Sequence, residues 1–213
     1  MTHASTRTAV PFHLLHGLLL AGLLTACSGL RSKDDPDRTY LLRAAPASGT
    51  AALPGVLSVL QPVVQPGFDT DRILLTRGGQ ELDHFAASRW GDALPRVVAT
   101  LAVQSLAGGG GFTHVVEAGR PAVASDYELL LTVRHFEAAY EAGGALPVIQ
   151  VAFDCTVTAG NPRRVLGSCD AAASEPAGEN RMAAIVAAME RATQKALAEV
   201  RTAAVSAART AAR

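Results

Sequence analysis

The chain has 213 residues, 49% of them apolar, which suits one domain with a substantial core. Its 19 Lys and Arg balance 19 Asp and Glu, so broad electrostatic attraction to nucleic acid is argued against. The bases are nearly all arginine, and the three cysteines are Cys27, Cys155 and Cys169.

Arg7 is the only formally charged residue before an apolar stretch from Val10 to Leu24, which Pro11, His13 and His16 interrupt. A basic start, a short apolar run and small residues at its end are the parts of a secretory signal. The run is too short for a spanning helix, which needs ~20 apolar residues. Its last residues, Leu24-Thr25-Ala26-Cys27, resemble a lipobox. The resemblance implies cleavage before Cys27 and acylation of that cysteine; the plainer alternative is an ordinary signal with a chance cysteine. Stable anchoring takes more than one acyl chain, which a multiply acylated Cys27 supplies. Ser28, where an Asp usually marks inner-membrane retention, resembles an outer-membrane address. Residues 1–26 are therefore expected to be removed. Losing Arg7 alone leaves 18 basic against 19 acidic residues, and no later run is long and charge-free enough to span a bilayer. Residues 28–38 are polar and charged and read as a tether, so 27–38 form the lipidated N-terminus ahead of a domain spanning 39–205.

Tyr40-Leu41-Leu42 is a short strand candidate, and Ala44 to Pro54 a small-residue loop. Val56 to Gln61 reads as a strand ended by Pro62, with Pro66 shaping the turn beyond. Ile73 to Thr76 and Leu82 to Phe85 flank Gly78-Gly79, a hairpin signal because primed turns need positive φ at both central positions. Leu94, Val97, Val98, Leu101 and Leu106 recur at helical spacing, with Ser88 or Asp92 as cap and Pro95 in the first turn. Gly108 to Gly111 stops this helix in a loop, and Val115-Val116 is a brief strand. Tyr127 to Phe136 alternates Leu129, Leu131 and Val133 against Leu130, Thr132 and Arg134, a strand with one apolar face.

Val148 to Thr158 and Arg164 to Ala173 form the next hairpin, turning at Gly160-Asn161-Pro162. Folding it about residue 162 sets Cys155 opposite Cys169, seven residues away on each side. Opposed Cβ atoms on paired strands lie ~4.5–5.5 Å apart, close to disulfide reach, and an exported chain lives where disulfides persist. An Ala-rich helix closes the chain from Asn180 to Val205, with Met182, Ile185, Val186, Met189, Leu197 and Val200 on one face, and residues 206–213 are expected to fray. The elements sum to an α/β (α+β) fold: an antiparallel or mixed sheet of about seven strands, with two helices packed on one face.

Sequence motifs for catalysis are missing. Gly108 to Gly111 lacks the Lys-Ser/Thr of a phosphate loop, there is no Gly-x-Ser-x-Gly elbow and no paired-His metal helix. His84, His114 and His135 are scattered, and Asp83 and His84 are strand neighbours facing opposite ways. No catalytic residue, metal ligand or cofactor is assigned. With no chemical grip in view, surface recognition is the default activity, and Arg89, Trp90 and Asp92 are the candidate partner-contact residues. Trp90, the only tryptophan, reads either as a core or capping anchor or as an interface aromatic.

In order along the chain, the lipobox, Tyr40-Leu41-Leu42, the Val59 to Phe68 stretch with its two prolines, Gly67-Phe68-Asp69 through Ile73-Leu74-Leu75, Arg89-Trp90-Gly91-Asp92-Ala93-Leu94-Pro95 and the closing helix Ala183 to Leu197 resemble the ABC-type transport auxiliary lipoprotein family, which includes PqiC-like proteins. The resemblance implies a non-enzymatic lipoprotein, lipid-anchored at the periplasmic face of the outer membrane. Its implied partners are an Mce-family protein and ABC transporter subunits, with a homo-oligomer also possible. Neither the cysteine pair nor the four-glycine loop belongs to the resemblance. The rival readings are a periplasmic lipid-binding carrier, which needs a continuous apolar cavity, and a cell-envelope enzyme, which needs acid, base and nucleophile converging in a cleft.

Overall fold

A computed structural model describes residues 36–45, 53–107, 110–119 and 124–211. The signal segment, Cys27, the tether through residue 35, and Gly108 and Gly109 lie outside the described residues. The strands are β1 (Arg38–Tyr40), β2 (Leu53–Val59), β3 (Val63–Val64), β4 (Arg72–Arg77), β5 (Glu81–Trp90), β6 (Phe112–Glu117), β7 (Tyr127–Tyr140), β8 (Val148–Ala159) and β9 (Arg164–Pro176). The helices are α1 (Leu94–Leu106) and α2 (Met182–Ala211).

All nine strands join one mixed sheet organised on β7. One edge of β7 pairs antiparallel with β8 from Tyr127 to Ala139, and β8 pairs antiparallel with β9. The other edge is shared by three parallel partners in sequence: β2 against Tyr127 to Leu129, β3 against Thr132 and Val133, and β4 against Ala138 to Tyr140. From there β6 adds to β2 in parallel, β5 adds to β4 antiparallel, and β1 adds to β5 in parallel. The expectation of about seven strands falls short because β3 is a two-residue strand between prolines, too short to show a period. The first strand is Arg38–Tyr40 rather than Tyr40–Leu42, its register set by Ser88, Arg89 and Trp90.

Both helices cover the same face. Leu129, Leu131, Val133, Ile149, Val151, Phe153 and Val157 are buried there under α2, each contributing ~1.5–3 kcal/mol by leaving water. α2 meets the sheet through Ile185, Ala188, Met189, Ala192, Ala196, Leu197, Val200, Ala204 and Ala208. Its small side chains bring the helix close to the sheet: a Cβ on Gly167 of β9 would lie 3.1 Å from the Ala207 Cβ. The expected end at Val205 falls short, because the helix runs to Ala211 with Ala208 fully buried. α1 carries Pro95 in its first turn, as its missing N–H allows. Ser88 is not its cap but a buried residue of β5, and Asp92 sits just ahead of the cap residue Ala93, accepting from the Ala93 N–H at 2.7 Å. In the β4–β5 hairpin, Gly78 and Gly79 have φ of 56° and 73°, the left-handed conformation that only glycine adopts without strain. Arg77 pairs with Glu81, so Gln80 makes the loop one residue longer than a two-residue primed turn.

Candidate functional site

The β5–α1 junction separates its three candidate residues. Strand alternation turns Ser88 and Trp90 inward and Arg89 outward. Trp90 is 2% exposed and meets Phe136 edge-on, ring centroids 6.1 Å apart. An indole that covered has no area to offer a partner, so the interface reading of Trp90 gives way to the core reading. Arg89 holds the start of the domain in place: its guanidinium pairs with Asp37 and with Asp71 at 3.3 Å, and Arg72 reaches the same Asp37 carboxylate at 3.9 Å. A bulge between Arg72 and Leu74, with Ala87 at φ 49°, accompanies this register.

Asp92 remains at the surface, its carboxylate 3.2 Å from Arg96 one helical turn on. Asp92 and Arg96 border a groove of about 240 Å³ between α1 and the segment Tyr40 to Leu42. Leu41, 72% exposed, lies at its edge, and Gly91 lets that segment approach, since a Cβ there would sit 2.8 Å from a Leu41 methyl. The junction is thus an outward groove beside an inward anchor.

Cys155 and Cys169 are directly opposed on β8 and β9, Cα atoms 5.0 Å apart, and form a disulfide. Nearby, Glu175 of β9 sits under α2 and pairs with Lys195 and, at 3.2 Å, with Arg191. Hydrogen bonds from Lys195 first, then Arg191, hold its carboxyl below the usual carboxylate range.

The opposite face of the sheet is polar. Arg134 lies 2.8 Å from Asp154 and 3.1 Å from Asp170, neighbours across β8 and β9, although its Nε–H is not aimed at the Asp154 oxygen. The Asp154 carboxyl is pushed up, chiefly by sharing a hydrogen bond with Asp170 and next by burial, against the opposing pull of Arg134. His135 and Glu137 share this face because β7 bulges between Val133 and His135. Without the bulge, the alternation of Leu129, Leu131 and Val133 would carry both inward. No sequence motif marked this pair; the visible signal was a glutamate inside an apolar strand.

Among the described residues, no group of three or more His, Cys, Asp and Glu is placed to hold a metal ion, and no helix is long and apolar enough to cross a membrane.

Comparison with known proteins agrees with this architecture. Protein XCC0632 from Xanthomonas campestris superposes with a TM-score of 0.71 at 22% identity, covering 82% of this chain and 99% of that one. A second, uncharacterised protein superposes with a TM-score of 0.61 at 12% identity, covering 79% and 98%. At such identities the likeness speaks for the fold alone. The sequence matches none of the curated proteins. Residues 40–201, from the end of β1 into the second half of α2, match the ABC-type transport auxiliary lipoprotein components, and the chain belongs to that family.

Proposed function

We propose that this protein is the membrane-anchored accessory subunit of an Mce-type ABC phospholipid transport system, docking on an Mce-family protein from the periplasmic face of the outer membrane. Family membership over residues 40–201 is the observation that carries this reading. The lipobox-like Leu24-Thr25-Ala26-Cys27 supports an anchor at Cys27, and Ser28 supports the outer membrane. The polar residues that follow Cys27 then link the anchor to a domain that already begins at Asp37, which Arg89 holds to the sheet, and at Arg38, the first residue of β1. Asp92, Arg96 and the groove beside Leu41 are the part of the β5–α1 junction that a partner can reach, with Arg89 fixing the groove's N-terminal wall to the sheet.

The test is capture from detergent-solubilised envelopes. The tagged protein should retain an Mce-family protein and transporter subunits, and Asp92→Arg should reduce that capture while melting changes little. A lipidated, folded protein that retains neither would refute the reading. Stoichiometric lipid extracted from the purified protein would favour the carrier instead.

A further inference from the structure

Among the described residues, the sheet ends in the outer strands β1, β6 and β9, and β9 is the longest, 13 residues against three in β1 and six in β6. Its inner edge pairs with β8, and among the described residues nothing pairs with its outer edge. An unpaired edge is a row of free N–H and C=O groups, which proteins usually guard. Both ends of this edge are guarded. At the C-terminal end Pro176 has no N–H to offer, and Lys195 and Arg191 of α2 pair with Glu175. At the N-terminal end Leu166 is an extra residue, because Val157 opposes Gly167 while Thr158 opposes Val165. Between these guards, Gly167 to Ala173 holds no proline, no bulge and no basic residue.

α2 runs antiparallel to β9, from Lys195 at Glu175 to Ala207 beside Gly167. Along the unguarded stretch the helix presents small side chains, Ala198, Thr202, Ala203 and Ser206. A groove of about 540 Å³ lies there, between α2 and the Cys169-Asp170 part of β9. The disulfide to Cys155 pins β9 to β8 at this point, so the edge is held extended before any partner arrives. The only charged residues lining the groove are both acids, Asp170 and Glu199. Asp170 shares Arg134 with Asp154 and keeps 81% of its side chain exposed. Glu199 is exposed, and Lys195, one turn before it, is engaged by Glu175.

We propose that this groove takes an extended, basic segment of a protein partner, added to the nine-stranded sheet as one more strand beside β9. Backbone hydrogen bonds to the free edge supply the affinity, as in strand addition generally. The side chains of an added strand alternate between the two faces of the sheet. Those on the helix side lie against Ala198, Thr202 and Ser206 and are compact and apolar. Those on the other side stand beside Asp170, where a base makes a favourable cross-strand pair and an acid an unfavourable one. A second copy of β9 fits less well, because joining two such edges gathers Asp170 and Glu199 of both copies along one seam with no added base. The inference stands on β9 and α2 alone and does not depend on the transport role.

Amide nitrogen-15 NMR and hydrogen exchange of the purified full chain in a neutral detergent test it, with acetyl-Lys-Val-Lys-Val-Lys-Val-amide as the probe. At constant ionic strength the peptide should shift the amides of Ser168 to Ala172 saturably and slow the exchange of those that point away from β8. The same peptide with Glu at every Lys position should bind roughly tenfold more weakly or worse. Asp170→Asn combined with Glu199→Gln should erase that preference. Thr202→Arg, at an exposed position of α2, fills the groove with a long base and should abolish binding while Tm stays unchanged. If a variant does not fold, the comparison of the Lys and Glu peptides on the unmodified protein still decides. Equal binding of the two peptides, no saturable shift, a shift without slowed exchange along β9, or binding that a folded Thr202→Arg variant retains overturns the proposal. A reversible dimer in sedimentation that the peptide dissociates, with the same amides protected in the dimer, overturns the assignment to a partner segment in favour of a second copy.

Discussion

Replacing Trp90 with alanine removes a buried indole and half of an aromatic pair. Large-to-small changes at such positions cost ~3–5 kcal/mol, and the edge-on contact with Phe136 accounts for ~0.5–1.5 kcal/mol beyond area. At roughly 2–4 °C per kcal/mol for a domain of this size, a loss of ~4 kcal/mol lowers Tm by roughly 8–16 °C. Calorimetry of the disulfide-intact protein measures it. A cycle with Phe136→Leu should show a coupling of ~0.5–1.5 kcal/mol between the two sites. The unmodified protein gives an independent reading, because Trp90 is its only tryptophan. Its emission should be blue-shifted and poorly quenched by iodide until the domain unfolds. A Tm within ~2 °C of the parent, or emission quenched as freely as that of free tryptophan, would refute the core placement.

The remaining predictions concern charge, cross-link and anchor. Replacing both Cys155 and Cys169 with serine opens a loop of sequence separation 14 and should cost ~3 kcal/mol at most, seen as a lower denaturant midpoint; an unchanged midpoint counts against the cross-link. Glu175 has its carboxyl held below the ordinary value, so its contribution to stability is present above the unfolded-state pKa and lost as pH falls through the folded one. Lys195→Gln should therefore destabilise most at neutral pH, with the difference shrinking in acid; a pH-independent difference would show that the pairing is not its source. Asp170→Asn should lower the Asp154 pKa, read from its carboxyl carbon-13 shift, and leave neutral-pH stability unchanged or higher, since Asp154 no longer titrates against a second carboxylate. Cys27→Ala should abolish incorporation of an alkyne fatty acid, and undiminished label on the variant would remove Cys27 as the lipidation site.

The parts of this fold legible in the sequence are those set by local rules. Equal spacing from Pro162 was enough to register Cys155 against Cys169, because a hairpin fixes its own pairing. Pro95 and the apolar period after it located α1. The parallel pairings of β2, β3 and β4 along one edge of β7 had no local signature, since parallel partners meet only through long crossovers. Likewise, Ala188, Ala192, Ala196, Ala204 and Ala208 carry much of the buried face of α2 with side chains too small to stand out, so the large apolar residues stop marking the helix before it ends at Ala211. At the junction, Trp90 sits among Arg89, Gly91 and Asp92 and looks like a surface residue in one dimension; alternation along β5 decides otherwise. The His135–Glu137 pair was hidden by one extra residue in β7, which reverses the facing of everything after it.

The position of β7 in the chain has a consequence for biogenesis. β1 to β6 all emerge, in synthesis and in export alike, before the strand that unites β2, β3 and β4. Until then the nascent chain can close only partial pairings, with strand edges that invite pairing with other chains left open. Once β7 emerges, β8 and β9 follow as simple hairpins and α2 closes over them, so the C-terminal part assembles from near neighbours while the N-terminal part must wait to be joined. Holdase chaperones should therefore engage chains stalled before Tyr127 more strongly than chains extended through α2.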